Sequence, residues 1–209
     1  MKCLVACLCV CFVPGFCFAN ELVNGSFESP VFTGNPADPG NLGGPVTGWT
    51  FSGPSARRVR VWGSAAQDGS QVGRSMVVYT GAADAASALS QVRANAGPGW
   101  RTIELQGFIS RYVLDGGFAN HPDWGWTQVE LTVDGDVAWS QRWSADDTWH
   151  YIAYTSPEPV YVQSSVGVVI RWGLNSNAGY RSFDVLLTDG FALDWSSEAS
   201  PKASDPSPG

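Results

Sequence analysis

From residue 88 onward the chain alternates apolar and polar positions almost without interruption. In 100–110, Ile103, Leu105 and Gly107 share one parity, and Thr102, Glu104 and Gln106 share the other. In 126–133, Val129, Leu131 and Val133 oppose Gln128, Glu130 and Thr132. Val166, Val168, Ile170 and Trp172 repeat the pattern, and Ile152 and Tyr154 stand against Tyr151 and Ala153. A period of two places successive side chains on opposite faces of a strand, so each segment is expected to have one buried face. Weaker segments of the same kind are expected at 21–30, 46–51, 57–62, 75–80, 88–93, 137–139, 161–162, 183–187 and 190–193.

The intervening stretches are turn chemistry. Asp134-Gly135 between two alternating runs predicts a hairpin. Gln67-Asp68-Gly69-Ser70 predicts a turn. Residues 31–45, 94–99 and 115–125 are rich in Gly, Pro or Asn and are expected to be loops. Ala82 to Ala88 favours helix by composition but is too short to stand alone, and is expected to turn into the next strand. About ten short strands with almost no helix predict an all-β fold, an antiparallel two-sheet β-sandwich of jelly-roll type. No internal repeat points to a propeller or solenoid.

Composition adds a compartment. Lys2 precedes an apolar run from Cys3 to Phe18, and Ala19 ends it before polar Asn20-Glu21. This is the layout of a secretory signal peptide with cleavage after Ala19. The expected organisation is therefore a signal peptide over 1–19, a sandwich domain over 20–195, and a disordered Ser/Pro-rich tail over 196–209. The product would be secreted or periplasmic. All five cysteines lie within the first 19 residues, so the domain is expected to have no disulfide framework and no thiolate metal site. Without Lys2 the formal charge moves from −7 to −8. An acidic domain with no basic stripe argues against nucleic acid, and no second apolar run predicts membrane insertion.

The opening Leu22-Val23-Asn24-Gly25-Ser26-Phe27-Glu28, followed by Gly48-Trp49-Thr50, resembles the start of galactose-binding-like jelly rolls. These include carbohydrate-binding modules and exported bacterial β-sandwich proteins. Further landmarks follow in the same order: Asp68-Gly69-Ser70, Ala88-Leu89-Ser90-Gln91, Asp147-Thr148-Trp149-His150-Tyr151, and a closing stretch from Phe183 to Leu193. The resemblance spans about 21–194. It implies a structural calcium ion joining Glu28 near the chain start to Asp189 near its end, since calcium takes carboxylate and carbonyl oxygens. The sorting tails of the exported relatives have no counterpart in 196–209, so membrane sorting is not expected.

Ten tryptophans invite a second use, because a Trp face can line a core or stack on a sugar. Trp49, Trp149 and Trp172 lie in alternating strands and are expected in the core. His121 to Trp126 places Trp124 and Trp126 around Gly125, beside Asp123. These residues, with Arg111 and Tyr112 at one rim and Arg142 at another, are the candidate ligand-binding set for a poly- or oligosaccharide. No nucleophile elbow, paired-His zinc motif or alternating catalytic carboxylates stand out, and His150 is expected to be structural. The expected function is a secreted, non-catalytic carbohydrate-binding protein. The alternatives are a structural or adhesive envelope protein and a divergent polysaccharide lyase or hydrolase. Asn24-Gly25-Ser26 is formally a glycosylation sequence.

Overall fold

The structure is a computed structural model that describes residues 20–27, 29, 46–52, 56–60, 71–77, 87–94, 97–113, 125–144, 148–174 and 184–200. Eleven strands and no helix occur among them: β1 (Thr50–Ser52), β2 (Ala56–Arg60), β3 (Gln71–Val77), β4 (Ser87–Ala94), β5 (Gly99–Val113), β6 (Gly125–Val133), β7 (Asp136–Ser144), β8 (His150–Thr155), β9 (Val160–Val162), β10 (Ser165–Leu174) and β11 (Asp184–Glu198). They form two antiparallel sheets. One has five strands in the order β1-β4-β10-β6-β7. The other has six: β2-β3-β11-β5-β8, with β9 also paired to β5. The expected antiparallel sandwich is therefore present.

Each sheet turns its apolar parity inward. Leu89, Val129, Leu131, Val166, Val168, Ile170 and Trp172 meet Ile103, Leu105, Ile109, Ile152 and Leu193, all buried. Burial of large apolar side chains stabilises by about 1.5–3 kcal/mol each, so this layer dominates the fold's energetics. At one side the two edges meet, where Trp139 of β7 stacks on Tyr154 of β8 with centroids 4.8 Å apart. Burial raises the Tyr154 phenol above its ordinary pKa.

The opening stretch differs from expectation. Residues 22–26 form a turn rather than a strand. Asn24 and Phe27 both adopt φ of 59°. Asn tolerates this left-handed region, but for Phe it costs about 1–2 kcal/mol. The turn inserts Phe27, fully buried, against Trp49 at 5.1 Å. The Trp49 indole N–H donates to the Asn24 carbonyl at 3.1 Å. Gln91, nearly buried, replaces a neighbouring strand: its Oε1 accepts from the Val23 N–H at 2.7 Å and its Nε2 donates to the Val23 carbonyl at 2.9 Å. The segment also docks on β11. The Glu21 N–H donates to the Leu193 carbonyl and the Phe191 N–H donates to the Gly25 carbonyl. Gly25 is required there, because a Cβ would fall on the Phe191 carbonyl.

Other boundaries shift. The two closing segments are one strand, β11, with a bulge between Asp189 and Ala192. It runs to Glu198, three residues past Trp195, where the sandwich was expected to end. The Asp134-Gly135 hairpin holds, with φ of 54° and 92° as a two-residue primed turn requires. β7 continues well beyond Trp139, to Ser144. The expected signal peptide, the 67–70 turn and the end of the tail lie outside the described residues.

Candidate functional site

β5 lies between β11 and the edge strands β8 and β9 of the six-stranded sheet, and its even-numbered residues face outward. Trp100, Thr102, Glu104, Gln106 and Phe108 are all partly exposed, while Ile103, Leu105 and Ile109 are buried. At a rise of about 3.3 Å per residue, Trp100 and Phe108 lie about 26 Å apart along the strand.

The register arranges this face in rows across three strands. Ala192, Gln106 and Ala153 form one row, and Asp194, Glu104 and Thr155 the next. The alanines leave low ground beside Gln106, and a shallow groove lies between the rows, lined by Gln106, Glu104, Asp194, Ala153, Thr155 and Ala192. Above the groove, Phe108 meets Tyr151 at 5.2 Å and Trp149 edge-on at 6.5 Å. Tyr151 is 58% exposed, and its hydroxyl donates to Gln106 Oε1 at 2.8 Å. Below the groove, Trp100 meets Tyr161 edge-on at 5.5 Å, and Tyr161 is exposed. The strip thus runs aromatic, polar, aromatic.

Chemically, this strip can hold a polyhydroxylated chain. The Gln106 Oε1 is engaged by Tyr151, which orients its amide and leaves the two Nε2 hydrogens to donate outward. Glu104 has no partner among the described residues and can accept from hydroxyls. Asp194 receives the Trp195 N–H at 2.7 Å through one oxygen. Tyr151 and Tyr161 offer apolar ring surface at either end.

The residues singled out from sequence separate. Trp126 and Arg142 come together, but on the outer face of the five-stranded sheet. The Arg142 guanidinium lies 3.9 Å from the Trp126 ring centroid. The ring's edge lies against Gly173 on β10, where a Cβ would collide with it. Trp126 is consequently buried, and its Nε1 has no partner among the described residues. Arg111 and Tyr112 belong to β5 of the six-stranded sheet, where they pair with Leu186 and Val185 of β11, away from Trp126 and Arg142. Trp124, Asp123 and Glu28 lie outside the described residues. Of the three expected core tryptophans, Trp49 and Trp172 are buried, whereas Trp149 is half-exposed beside Phe108.

Asp189 sits at the β11 bulge, fully buried, with Oδ1 accepting the Gly190 N–H at 2.8 Å. The bulge thus places a buried carboxylate beside the docked Asn20–Phe27 segment. No group of three His, Cys, Asp or Glu able to hold a metal occurs among the described residues. No helix there is long and apolar enough to cross a membrane. The Asn24 amide donates to the Ser29 carbonyl at 2.7 Å, so the formal glycosylation side chain is already engaged.

The groove residues carried a signal that sequence reading passed over. Trp100 and Phe108 lie on the polar parity of 100–110, and Tyr151 on that of 150–155. A large aromatic among outward-facing polar positions marks a surface where burial is not the purpose.

Together these features define the class: an antiparallel jelly-roll sandwich that displays an aromatic and polar strip on one sheet. No protein-family model matches the chain, and no curated protein sequence matches it. Its likeness is to solved structures. One is the carbohydrate-binding module TmCBM61 in complex with β-1,4-galactotriose, at 15% identity and a TM-score of 0.53, covering 83% of this chain and 97% of that one. Another is the Stig cyclase Fisc from Fischerella sp. TAU in complex with (3Z)-3-(1-methyl-2-pyrrolidinylidene)-3H-indole, at 15% identity and a TM-score of 0.61, covering 86% and 98%. A third is the arabinose-bound α-L-arabinofuranosidase MgGH51, at 13% identity and a TM-score of 0.51, covering 85% of this chain and 26% of that one. At such identities the likeness establishes the fold, which hosts both binding modules and enzymes.

Proposed function

We propose that the protein is an exported, non-catalytic carbohydrate-binding module that holds an extended glycan along β5. The observation that carries this reading is the strip itself: an oriented Gln106 amide and two carboxylates between exposed aromatic pairs. The fold shared with a galactotriose-binding module is consistent with it. The test is affinity electrophoresis of the mature chain on a polysaccharide panel that includes β-1,4-galactan. Retention is expected on at least one neutral polysaccharide. Tyr151→Ala and Gln106→Ala should each weaken it at least tenfold, while Trp124→Ala reports on the loop expected from sequence to bind. Absence of retention on the whole panel would refute the reading. Release of reducing or unsaturated ends would instead favour a lyase or hydrolase.

The same reading includes a structural calcium ion held by Glu28 and Asp189. Its support is the complete burial of the Asp189 carboxylate where the first segment docks on the last strand. Calcium should raise Tm and a chelator should lower it, because a ligand bound only by the folded state stabilises by mass action. Identical melts in calcium and chelator would remove the ion.

A further inference from the structure

The outer face of the five-stranded sheet has different chemistry. Arg142, Gln128 and Arg171 stand in one cross-strand row on β7, β6 and β10. Arg142 Nε donates to Gln128 Oε1 at 3.0 Å, and Gln128 Nε2 donates to Glu130 Oε1 at 2.9 Å. Arg171 Nε donates to the same Glu130 oxygen at 2.9 Å. Each arginine is therefore tethered through Nε, and Arg142 is also braced by the Trp126 ring. The terminal nitrogens of both have no partner among the described residues. Arg142 is exposed, the Arg171 side chain is 42% exposed, and the Glu130 side chain is only 8% exposed. Among the described residues of this face Glu130 is the only carboxylate, so the surface is cationic although the whole chain carries −7.

We propose that this face is a second binding site, for a sugar chain bearing carboxylate or sulfate groups, held between the guanidinium forks of Arg142 and Arg171. Two arginine forks, oriented and partly relieved of rotamer entropy by their Nε bonds, match planar or tetrahedral oxyanions. Their Cα atoms lie two strand spacings, about 10 Å, apart, so a chain laid across the strands can meet both. The flanking outward positions include Ser140, Ser144, Thr132, Ala88 and Ser90, with Val169 between Glu130 and Ser90; these short side chains leave a shelf for a flat chain of rings rather than a pocket for one group. The proposal rests on charge complementarity and goes beyond the groove on the opposite sheet, on which it does not depend.

Calorimetric titration of the mature chain tests it, with polygalacturonate, its methyl ester, dextran sulfate, dextran and polyglutamate as probes. At least one acidic polysaccharide is expected to bind, more weakly as salt rises, while the methyl ester and dextran do not. Which of polygalacturonate and dextran sulfate binds tighter identifies the anion. Arg142→Gln and Arg171→Gln should each weaken binding at least tenfold, and the double variant should abolish it. Arg142→Lys should recover only part, because charge returns without the fork. Arg142 is exposed, so its variants keep the test readable should Arg171→Gln misfold. Glu130→Gln, which keeps the accepting oxygen and removes the negative charge, should tighten binding several-fold. Tyr151→Ala should leave it unchanged. Equal binding of the ester or of polyglutamate would overturn the proposal. So would a double variant that binds normally, or loss of acidic-chain binding on Tyr151→Ala.

Discussion

The two outer faces of this sandwich share one core and differ in how their charges are used. On the six-stranded sheet Glu104 stands partly exposed beside Asp194, with no partner of its own among the described residues, at the edge of a groove. On the five-stranded sheet Glu130 is nearly buried and receives hydrogen bonds from Arg171 and Gln128. The same residue type on an outward parity is free for a ligand in one case and committed to its neighbours in the other. Aromatics diverge in parallel. Tyr151 is open to solvent, whereas Trp126 is closed between Gly173 and Arg142. A strand's outward face is thus a surface only where neighbouring strands leave it uncovered.

The largest expected effect removes what both faces depend on. Phe27→Ala should cost about 3–5 kcal/mol in denaturant unfolding, because a fully buried aromatic leaves a cavity between Trp49 and the sheets. Both proposed binding activities should fall with it. The next contrast separates the faces. Glu130→Ala should cost about 1–3 kcal/mol, since it strips the acceptor from two oriented donors. Glu104→Ala should stay within about 0.5 kcal/mol of wild type and show its effect in glycan retention alone. Equal stability losses in the two variants would break the contrast.

The smallest effect lies at the hairpin joining β6 to β7. Asp134 accepts the N–H groups of Gln163, Ser164 and Ser165 and the Ser164 hydroxyl at 2.7–2.9 Å. Hydrogen bonds from Gln163, Ser165 and Ser164 hold its carboxyl well below the ordinary value of 3.8. A depressed folded-state pKa stabilises above the unfolded value, and the contribution is lost as pH falls from about 4 into strong acid. Asp134→Asn keeps a residue that tolerates positive φ and removes the charge. Its Tm should be modestly below wild type at pH 7, and the gap should close as pH falls below 4. A gap as wide at pH 2 as at pH 7 would assign the clamp to shape rather than charge.

Much of the scaffold was legible because burial imposes a period of two. The runs at 100–110, 126–133 and 165–172 were identifiable as strands, and Asp134-Gly135 as their sharpest turn, since few other residues accept two consecutive positive φ values. The opening motif was legible as a landmark but not as a shape. Its alternation suggested a strand, yet it folds as a turn, because Gln91 supplies the pairing that a strand would need and Gly25 lets the chain approach Phe191.

By itself, then, the sequence determined the all-β class, the inward faces of the long strands and the main hairpin, all of which follow from local periodicity and turn chemistry. Tertiary structure decided which outward positions are surfaces. Trp126 and Arg142 look alike in sequence to the open residues of a binding loop, but cross-strand register sets Arg142 over the indole and aligns it with Gln128 and Arg171. Register likewise put two alanines beside Gln106 to open a groove. Such rows join residues that lie far apart along the chain, and no local pattern records which will become neighbours.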